Sequence, residues 1–189
     1  MICIIGAPAA LGQIVNPGFE AGNTGFTSGY AFGNVSEPGT YTVGTSSAAV
    51  AGSFGDWQAF GDHTTGTGMM MIVNGGTDSG ALVWSETVPV SPKTNYRFSF
   101  WGATLNADSG SPASIQVKIN GASVGKGNVF PGASPPAGGA WTRFTVTWNS
   151  GPATTATISL FDLNTSTGWN DFALDDISLT GEPVKAEKK

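Results

Sequence analysis

The stretch Asn-Asp-Phe-Ala-Leu-Asp-Asp-Ile-Ser-Leu (residues 170–179) has the alternating pattern of a β-strand, yet it contains two adjacent carboxylates. Asp is among the poorest strand formers, and with a period of two each face of the strand receives one of the pair. Asp175 is in phase with Ile177 and Leu179, so we expect it to point inward. Asp176 should then be exposed, or lie next to the residues that bind a cation without binding it directly. A buried carboxylate is costly unless it is paired or binds a metal, and the chain has few cations, so the stretch predicts a cation site.

Short strand patterns separated by turn residues continue along the chain. The predicted strands are residues 40–43, 69–73, 81–90, 94–105, 113–119, 141–149, 154–163 and 172–180. No helical period competes with them, and Asn120-Gly121 has the composition of a two-residue hairpin turn. About eight or nine short strands joined by turns are typical of antiparallel sheets. The fold class is therefore predicted as an all-β antiparallel β-sandwich of the jelly-roll kind.

The length of 189 residues suits one domain rather than two. We assign residues 14–181 to this sandwich and residues 182–189 to a charged tail. Residues 1–13 are apolar and end in small residues, which leaves two interpretations open: a remnant of a secretory signal peptide, or an N-terminal edge strand of the domain. The lone Cys3 excludes an intramolecular disulfide, so the β core must supply the stability, with a metal as a candidate support.

Composition argues against several classes of function. Charged residues make up 11% of the chain, with 13 acidic and 8 basic side chains, and the clustered Lys and Arg that phosphate binding requires are missing, so no nucleic acid partner is expected. No apolar stretch approaches the roughly 18 residues of a membrane span. His63 is the only imidazole, no Gly-x-Ser-x-Gly motif accompanies it, and no spacing selects a carboxylate pair for glycoside hydrolysis. We therefore predict that the chain is not an enzyme.

Alternation in the strands 94–105, 113–119 and 141–149 predicts a surface that suits a sugar ring. If these strands lie in one sheet, the face opposite the core gathers an aromatic platform and hydrogen-bond donors, namely Arg97, Trp101, Gln116, Lys118 and Arg143. The alternative is an ordinary solvated sheet face with one exposed tryptophan. Trp57, Trp84 and Trp169, at predicted loop ends, are further candidates for stacking on a sugar.

The opening residues 14–26, which include Asn-Pro-Gly-Phe-Glu, and the closing residues 173–179 resemble the corresponding parts of jelly-roll carbohydrate-binding modules with a galactose-binding-like fold. The resemblance spans nearly the whole chain. It implies that the first and last strands lie side by side. It also implies a structural calcium held by Glu20, Asp175 and backbone carbonyls.

A second resemblance lies in the middle of the chain. Residues 62–71, beginning Asp-His-Thr-Thr-Gly, together with residues 173–177 are similar to extracellular MAM adhesion domains, which share the jelly roll and a cation site. This similarity adds Asp62 as a candidate metal ligand. With Asp176 included, the candidate metal ligands are Glu20, Asp62, Asp175 and Asp176. The nearest likeness overall is to uncharacterised bacterial secreted and cell-surface domains that end in a string similar to residues 170–177. That likeness implies secretion or display at the cell surface without naming a ligand.

Together these observations predict a secreted or surface-displayed, non-catalytic module that binds carbohydrate or another cell-surface component and carries a structural calcium. Calcium prefers about six to eight hard oxygen ligands, which carboxylates and carbonyls supply. Structural zinc is disfavoured, because the chain has one His and one Cys. The alternative is a structural subunit that self-associates, because the apolar residues 1–5 could complete the sheet of a neighbouring copy.

Overall fold

Two facing β-sheets make up the fold. The computed structural model describes residues 12–50, 57–106, 110–126 and 139–183. Its elements are β1 (Ala31–Phe32), β2 (Thr40–Gly44), α1 (Ser47–Val50), β3 (Met70–Asn74), β4 (Ala81–Pro89), β5 (Thr94–Thr104), β6 (Ile115–Ile119), β7 (Ala122–Lys126), β8 (Thr142–Asn149), β9 (Thr155–Asp162) and β10 (Phe172–Pro183). One sheet has the order β1-β2-β3-β10-β5-β8 and the other the order β4-β9-β6-β7. The predicted all-β sandwich is confirmed.

The strands predicted from the sequence are all present, with bounds that shift by a few residues. Asn120 and Gly121 have φ angles of 52° and 80°, as a type I′ turn requires, and they join β6 to β7 in the predicted hairpin. The sequence pattern does not predict β1, β7 or α1. In β7, a glycine and a single β-branched residue leave little strand propensity to detect.

The main hydrophobic core lies between the sheets. Alternate residues of β5 and β6 point into it and are almost fully buried, namely Tyr96, Phe98, Phe100, Ile115, Val117 and Ile119. Three side chains of β8 pack at its margin, Phe144, Val146 and Trp148. The predicted core faces of these three strands are therefore confirmed.

A second apolar cluster covers part of the outer face of the six-stranded sheet. Its buried members are Val35, Trp57, Phe60, Met70, Ile72, Ala103, Leu105 and Ala173, with Trp141 packed against them. Burying a large apolar side chain contributes roughly 1.5 to 3 kcal/mol, so Trp57 and Phe60 hold their segment firmly on the sheet. As a result, β3 is buried on both of its faces.

The position of β10 brings three strand ends together. β10 lies between β3 and β5 and is antiparallel to both. Its first residue, Phe172, pairs with Val73 near the end of β3 and with Thr104 at the end of β5. The residue before β10 and the residues that follow β3 and β5 therefore meet at one edge of the sheet.

A β-bulge in β10 corrects the predicted orientation of Asp175. The pairing with β5 shifts after Asp175, and Asp176 has a φ of 49°. The extra residue changes the phase of the strand, so Leu174 and Ile177 both face the main core. Asp175 therefore does not share a face with Ile177, and that prediction is wrong. Asp175 is nevertheless buried, because the chain at His63 passes over it.

The opening segment runs beside β10, as the resemblance implies. The backbone N–H of Ile177 donates a hydrogen bond of 2.9 Å to the carbonyl of Pro17. Residues 14–26 themselves form turns rather than a regular strand. The predictions about residues 1–5 and about most of the charged tail concern residues outside the described part. Among the described residues, no helix has the length and apolar character needed to cross a membrane.

Candidate functional site

The face predicted to bind a sugar is divided between the two sheets. Arg97, Trp101 and Arg143 lie on the outer face of the six-stranded sheet, where Trp101 of β5 pairs with Arg143 of β8. β6 belongs to the other sheet, so Gln116 and Lys118 lie on the opposite side of the molecule. The premise that the three strands share one sheet is wrong, and the predicted ligand set does not form one surface.

His63 covers Trp101, the aromatic side chain of the predicted sugar-binding surface. Its imidazole stacks on the Trp101 indole, with ring centroids 3.8 Å apart and an angle of 17° between the ring planes. Nδ1 of His63 also lies 2.7 Å from Oδ2 of Asp176, which fixes the imidazole in place. One face of Trp101 is thereby occupied by the protein itself. Trp84 is fully buried in the main core and offers no surface for stacking either.

The predicted cation ligands line one cavity of about 410 Å³, which we call the acidic cavity; they are Glu20, Asp62, Asp175 and Asp176. Glu20 lies in the opening turn after Phe19, whose φ is 59°. Oε1 of Glu20 accepts a hydrogen bond of 2.9 Å from the backbone N–H of Met69, which ties this turn to the start of β3. The structure therefore places these four side chains together, although they come from distant parts of the sequence.

Asp175 is the most buried carboxylate of the acidic cavity, with 1% of its surface exposed. Its two oxygens accept hydrogen bonds of 2.8 Å from the backbone N–H groups of His63 and Asp176. Burial raises the pKa of Asp175 to about 7, and repulsion from Asp176 and Asp62 adds to the rise while the two hydrogen bonds oppose it. Within the described residues the only contact between a basic and an acidic side chain joins His63 and Asp176, so Asp175 has no cationic partner there.

Asp62 is held as an anion by its own turn. Burial favours a higher pKa for this carboxyl, but the pKa lies below its usual range because hydrogen bonds from Thr65 and Gly68 outweigh burial. The backbone N–H of Thr65 lies 2.9 Å from Oδ2, and that of Gly68 lies 2.7 Å from Oδ1. The turn therefore supplies the acidic cavity with a stable negative charge.

The donor chemistry of the acidic cavity suits a hard cation, since carboxylate oxygens are among the ligands that calcium prefers. Gly68 keeps space open, because a Cβ there would collide with Oε1 of Glu20 and lie 3.0 Å from Oδ2 of Asp62. In the observed rotamers, no three His, Cys, Asp or Glu side chains of the described residues converge closely enough to hold a metal ion. The residues suit calcium by chemical type and line one cavity, but in the observed rotamers they do not form a coordination shell, and their present hydrogen bonds compete with coordination.

A second cavity, of about 280 Å³, lies at the edge where the ends of β3, β5 and β10 meet; we call it the end pocket. Asn74 ends β3, Asn106 follows β5, and Asp171 directly precedes β10. Trp57 and Trp169, with Ser36 and Pro38 of the β1–β2 loop, complete most of its lining. The end pocket therefore combines polar strand ends with two aromatic side chains.

Asp171 organises the floor of the end pocket. Its Oδ1 accepts a hydrogen bond of 3.0 Å from the backbone N–H of Gly75, and its Oδ2 accepts one of 3.0 Å from Nε1 of Trp57. The side-chain amide of Asn106 donates a third. Burial raises the pKa of Asp171, although these three hydrogen bonds oppose the rise. The carboxyl group thereby fixes both the indole of Trp57 and the amide of Asn106.

Two features of the end pocket bear on ligand binding. Oδ1 of Asn106 is buried and has no hydrogen-bond partner among the described residues. Trp169 is 46% exposed on a loop where its own φ is 76°. An aromatic surface beside a few oriented polar groups is typical of small-molecule sites.

Sequence reasoning identified Trp57 and Trp169 separately and missed Asn74, Asn106 and Asp171. The sequence does contain a signal for these residues, and it lies in their positions along the chain. Each of the three polar residues stands at the end of a predicted strand, and in neighbouring antiparallel strands such ends meet. Using that signal requires knowing that β10 lies between β3 and β5, which the strand patterns alone do not reveal.

Asp162, the last residue of β9, is a further buried carboxyl group with 1% exposure. Oδ1 accepts hydrogen bonds from the backbone N–H groups of Asn164 and Ser114, whereas Oδ2 has no partner in the described residues. Burial raises its pKa to about 6, and the charge of Asp171 adds to the rise. Ionising Asp162 in the folded protein is therefore unfavourable.

No protein-family model and no curated protein sequence matches this chain. Several solved structures have a similar fold. The Stig cyclase Fisc from Fischerella sp. TAU, in complex with (3Z)-3-(1-methyl-2-pyrrolidinylidene)-3H-indole, aligns over 94% of this chain and 100% of its own, with a TM-score of 0.64 and 13% identity.

Carbohydrate-binding modules are also among the similar structures. A Clostridium thermocellum N-terminal endo-1,4-β-D-xylanase 10B structure with CBM22-1 and GH10 modules, complexed with xylohexaose, aligns over 88% of this chain and 28% of its own, with a TM-score of 0.50 and 16% identity. A family 16 carbohydrate-binding module aligns over 88% of this chain and 98% of its own, with a TM-score of 0.49 and 18% identity. The predicted resemblance to jelly-roll carbohydrate-binding modules is confirmed for the fold, and at these identities it extends no further.

Proposed function

We propose that this chain is a non-catalytic module that binds carbohydrate in the end pocket. The observation that carries the proposal is the placement of Trp57 and Trp169 around a cavity whose floor is formed by Asp171 and Asn106. Sugars bind through their apolar ring faces to aromatic side chains and through directed hydrogen bonds to their hydroxyls. The end pocket offers both kinds of contact, on a fold shared with carbohydrate-binding modules.

We place this function outside the cell, on a secreted or surface-displayed chain that contacts a glycan or another cell-surface component. Support comes from the composition, in which only 11% of residues are charged and 28 are glycine, as suits a turn-rich extracellular β-domain. Detection of the chain in culture medium or at the cell surface would test the location. An exclusively intracellular chain would contradict it.

The binding proposal is tested by titrating the protein with neutral methyl glycosides and their oligosaccharides while following the indole N–H resonances by NMR. Trp169→Ala should weaken binding at least tenfold, because it removes the exposed ring at the mouth of the pocket. Phe32→Ala is the matched control, since Phe32 is 55% exposed on β1 and should leave binding unchanged. If Trp101→Ala abolishes binding and Trp169→Ala does not, the ligand lies on the outer sheet face and the proposal is wrong.

We also propose that a structural calcium ion binds in the acidic cavity. Glu20, Asp62 and Asp175 would hold it, with Asp176 beside them, and the ion would supply the positive charge that buried Asp175 lacks among the described residues. Its effect would be to fasten the opening turn and the turn before β3 to the bulge of β10. Calcium therefore has a stabilising role in this proposal and takes no part in ligand recognition.

A second candidate function is proton transfer to a planar aromatic ligand in the end pocket. It is favoured by the raised pKa of buried Asp171 in a pocket with two tryptophans. The three hydrogen bonds that Asp171 accepts favour binding over catalysis, because they stabilise its anion. Titration with a neutral indole distinguishes the two candidates: a shift of the Trp57 indole resonance with indole, and none with any glycoside, would favour the second.

A further inference from the structure

We infer that the end pocket selects an uncharged sugar at the end of a glycan and rejects sugars that carry a carboxylate or a sulfate. This inference rests on the proposed function and names the ligand class of the same pocket. Three observations support it: the size and enclosure of the pocket, the unmet acceptor on its floor, and the sign of the charge in its lining.

The size of the end pocket suits one sugar ring. Its volume of about 280 Å³ lies just below the range of roughly 300 to 1,000 Å³ that holds drug-sized ligands. The β1–β2 loop at Ser36 and Pro38 forms one wall, the loop at Trp169 forms another, and the strand ends close the floor. A cavity of this size has room for one ring, and we infer that this ring is the chain end, with the rest of the glycan outside the pocket.

The floor of the end pocket calls for a ligand that donates hydrogen bonds. The amide nitrogen of Asn106 donates to Asp171, and this bond fixes the orientation of the amide. Oδ1 of Asn106 is then left as a buried acceptor without a partner among the described residues. An unmet buried acceptor is costly, and a sugar hydroxyl that donates to Oδ1 after a small movement of the Asn106 side chain removes that cost.

The charge in the lining decides between neutral and anionic sugars. Asp171 is the only charged side chain among the described residues that line the end pocket, and no Lys or Arg joins it there. A uronic acid or a sulfated sugar would bring a second negative charge close to Asp171 in a partly desolvated site without a counter-ion. A neutral hydroxyl at the same position meets no such repulsion.

The charge selectivity is tested with matched ligand pairs at pH 7.5: methyl glucoside against methyl glucuronoside, and methyl galactoside against methyl galacturonoside, each titrated by NMR. The neutral member of the preferred pair should bind at least tenfold more tightly. Asp171→Asn should narrow this ratio, and Ser36→Asp, which adds a charge on the exposed wall of the pocket, should widen it. Asn149→Asp adds the same charge at the exposed end of β8 and serves as the control that should leave the ratio unchanged. If Asp171→Asn does not fold, the comparison of Ser36→Asp with the parent protein decides.

Recognition of a chain end is tested by comparing the preferred methyl glycoside with a hexasaccharide of the same sugar. Affinities within about threefold of each other support a pocket that holds one sugar unit. A hexasaccharide that binds more than tenfold tighter overturns the recognition of a chain end. A uronide bound as tightly as its neutral partner overturns the charge selectivity. Each of these results leaves the proposed function standing, while failure of every neutral glycoside and oligosaccharide to bind overturns both proposals.

Discussion

The end pocket and the acidic cavity lie at two points along the same half of β10, and each is built around a buried aspartate. At the start of the strand, Asp171 is surrounded by N–H donors from Gly75, Trp57 and Asn106. At the bulge, Asp175 accepts two backbone N–H groups and also faces other carboxylates across a shared cavity. Hydrogen bonds from three N–H donors compensate the charge of Asp171. Asp175 accepts only two such bonds and lies among other negative charges.

This difference shows that burial alone does not assign a role to a carboxylate. A carboxylate that accepts three hydrogen bonds acts as an anchor, because its removal leaves several buried donors without an acceptor. A carboxylate whose pKa is raised by burial, and further by like-charged neighbours, responds to cations and to protons, because either neutralises its buried charge. We therefore expect the two regions to differ in their response to mutation, to pH and to calcium.

The largest expected effect is the contrast between Asp171→Ala and Asp175→Ala. Asp171→Ala should lower the free energy of unfolding by about 4 kcal/mol, because it leaves three buried donors unpaired at about 1 to 3 kcal/mol each. Asp175→Ala in calcium-free buffer should lower it by about 1 kcal/mol, because the loss of two hydrogen bonds is offset by the removal of a poorly compensated buried charge. Denaturant titrations measure both free energies. Equal losses would contradict the proposal that Asp171 is a structural anchor and Asp175 a metal ligand.

A smaller effect should come from Asp162, a buried carboxyl group whose Oδ2 has no hydrogen-bond partner among the described residues. Its pKa rises from 3.8 to about 6 on folding, so the folded state holds its proton more tightly than the unfolded state does. The free energy of unfolding should therefore fall by up to about 3 kcal/mol as the pH rises from about 4 to above 6. Asp162→Asn keeps the Oδ1 hydrogen bonds and should flatten this part of the stability–pH curve. Identical slopes in the variant and the parent protein would contradict the expectation.

The sequence predicted the fold in detail where local patterns determine structure. Period-two alternation located the core faces of β5, β6 and β8, and Asn120-Gly121 located a hairpin. Alternation does not say which strands are neighbours, because pairing depends on contacts between distant segments. For that reason Gln116 and Lys118 were expected beside Trp101 but lie on the other sheet.

The candidate sites show the same limit. The four acidic residues could be grouped because a resemblance to known folds supplied their spatial relation, which no spacing in the sequence contains. The orientation of Asp175 could not be predicted, because the bulge at Asp176 adds a residue and reverses the alternation after it. The end pocket was beyond sequence reasoning because Asn74, Asn106 and Asp171 become neighbours only through the order of the strands.

Calcium provides a test directed at the acidic cavity alone. If the ion binds there, calcium at about 100 times its Kd should raise the free energy of unfolding by about 2.7 kcal/mol, and chelation should lower the melting temperature. Glu20→Gln should abolish the shift, whereas the exposed Glu37→Gln should retain it. The shift should shrink below pH 7, because the proton of Asp175, whose pKa is about 7, then competes with the ion. A chelator that leaves the melting temperature unchanged would rule out the calcium proposal.

The smallest expected effect concerns the stacked pair at the edge of the acidic cavity. His63→Ala removes the stacking on Trp101, worth about 0.5 to 1.5 kcal/mol, and a partly exposed contact with Asp176, worth about 0 to 1 kcal/mol. We expect a loss of about 1 kcal/mol in the free energy of unfolding and no change in glycan affinity, because the end pocket does not include either ring. His63→Phe separates the two contributions, since it keeps a stacked ring but loses the contact with Asp176. If uncovering Trp101 in His63→Ala creates or strengthens glycan binding, then the imidazole competes with a sugar for the indole face, and the outer sheet face, rather than the end pocket, is where recognition occurs.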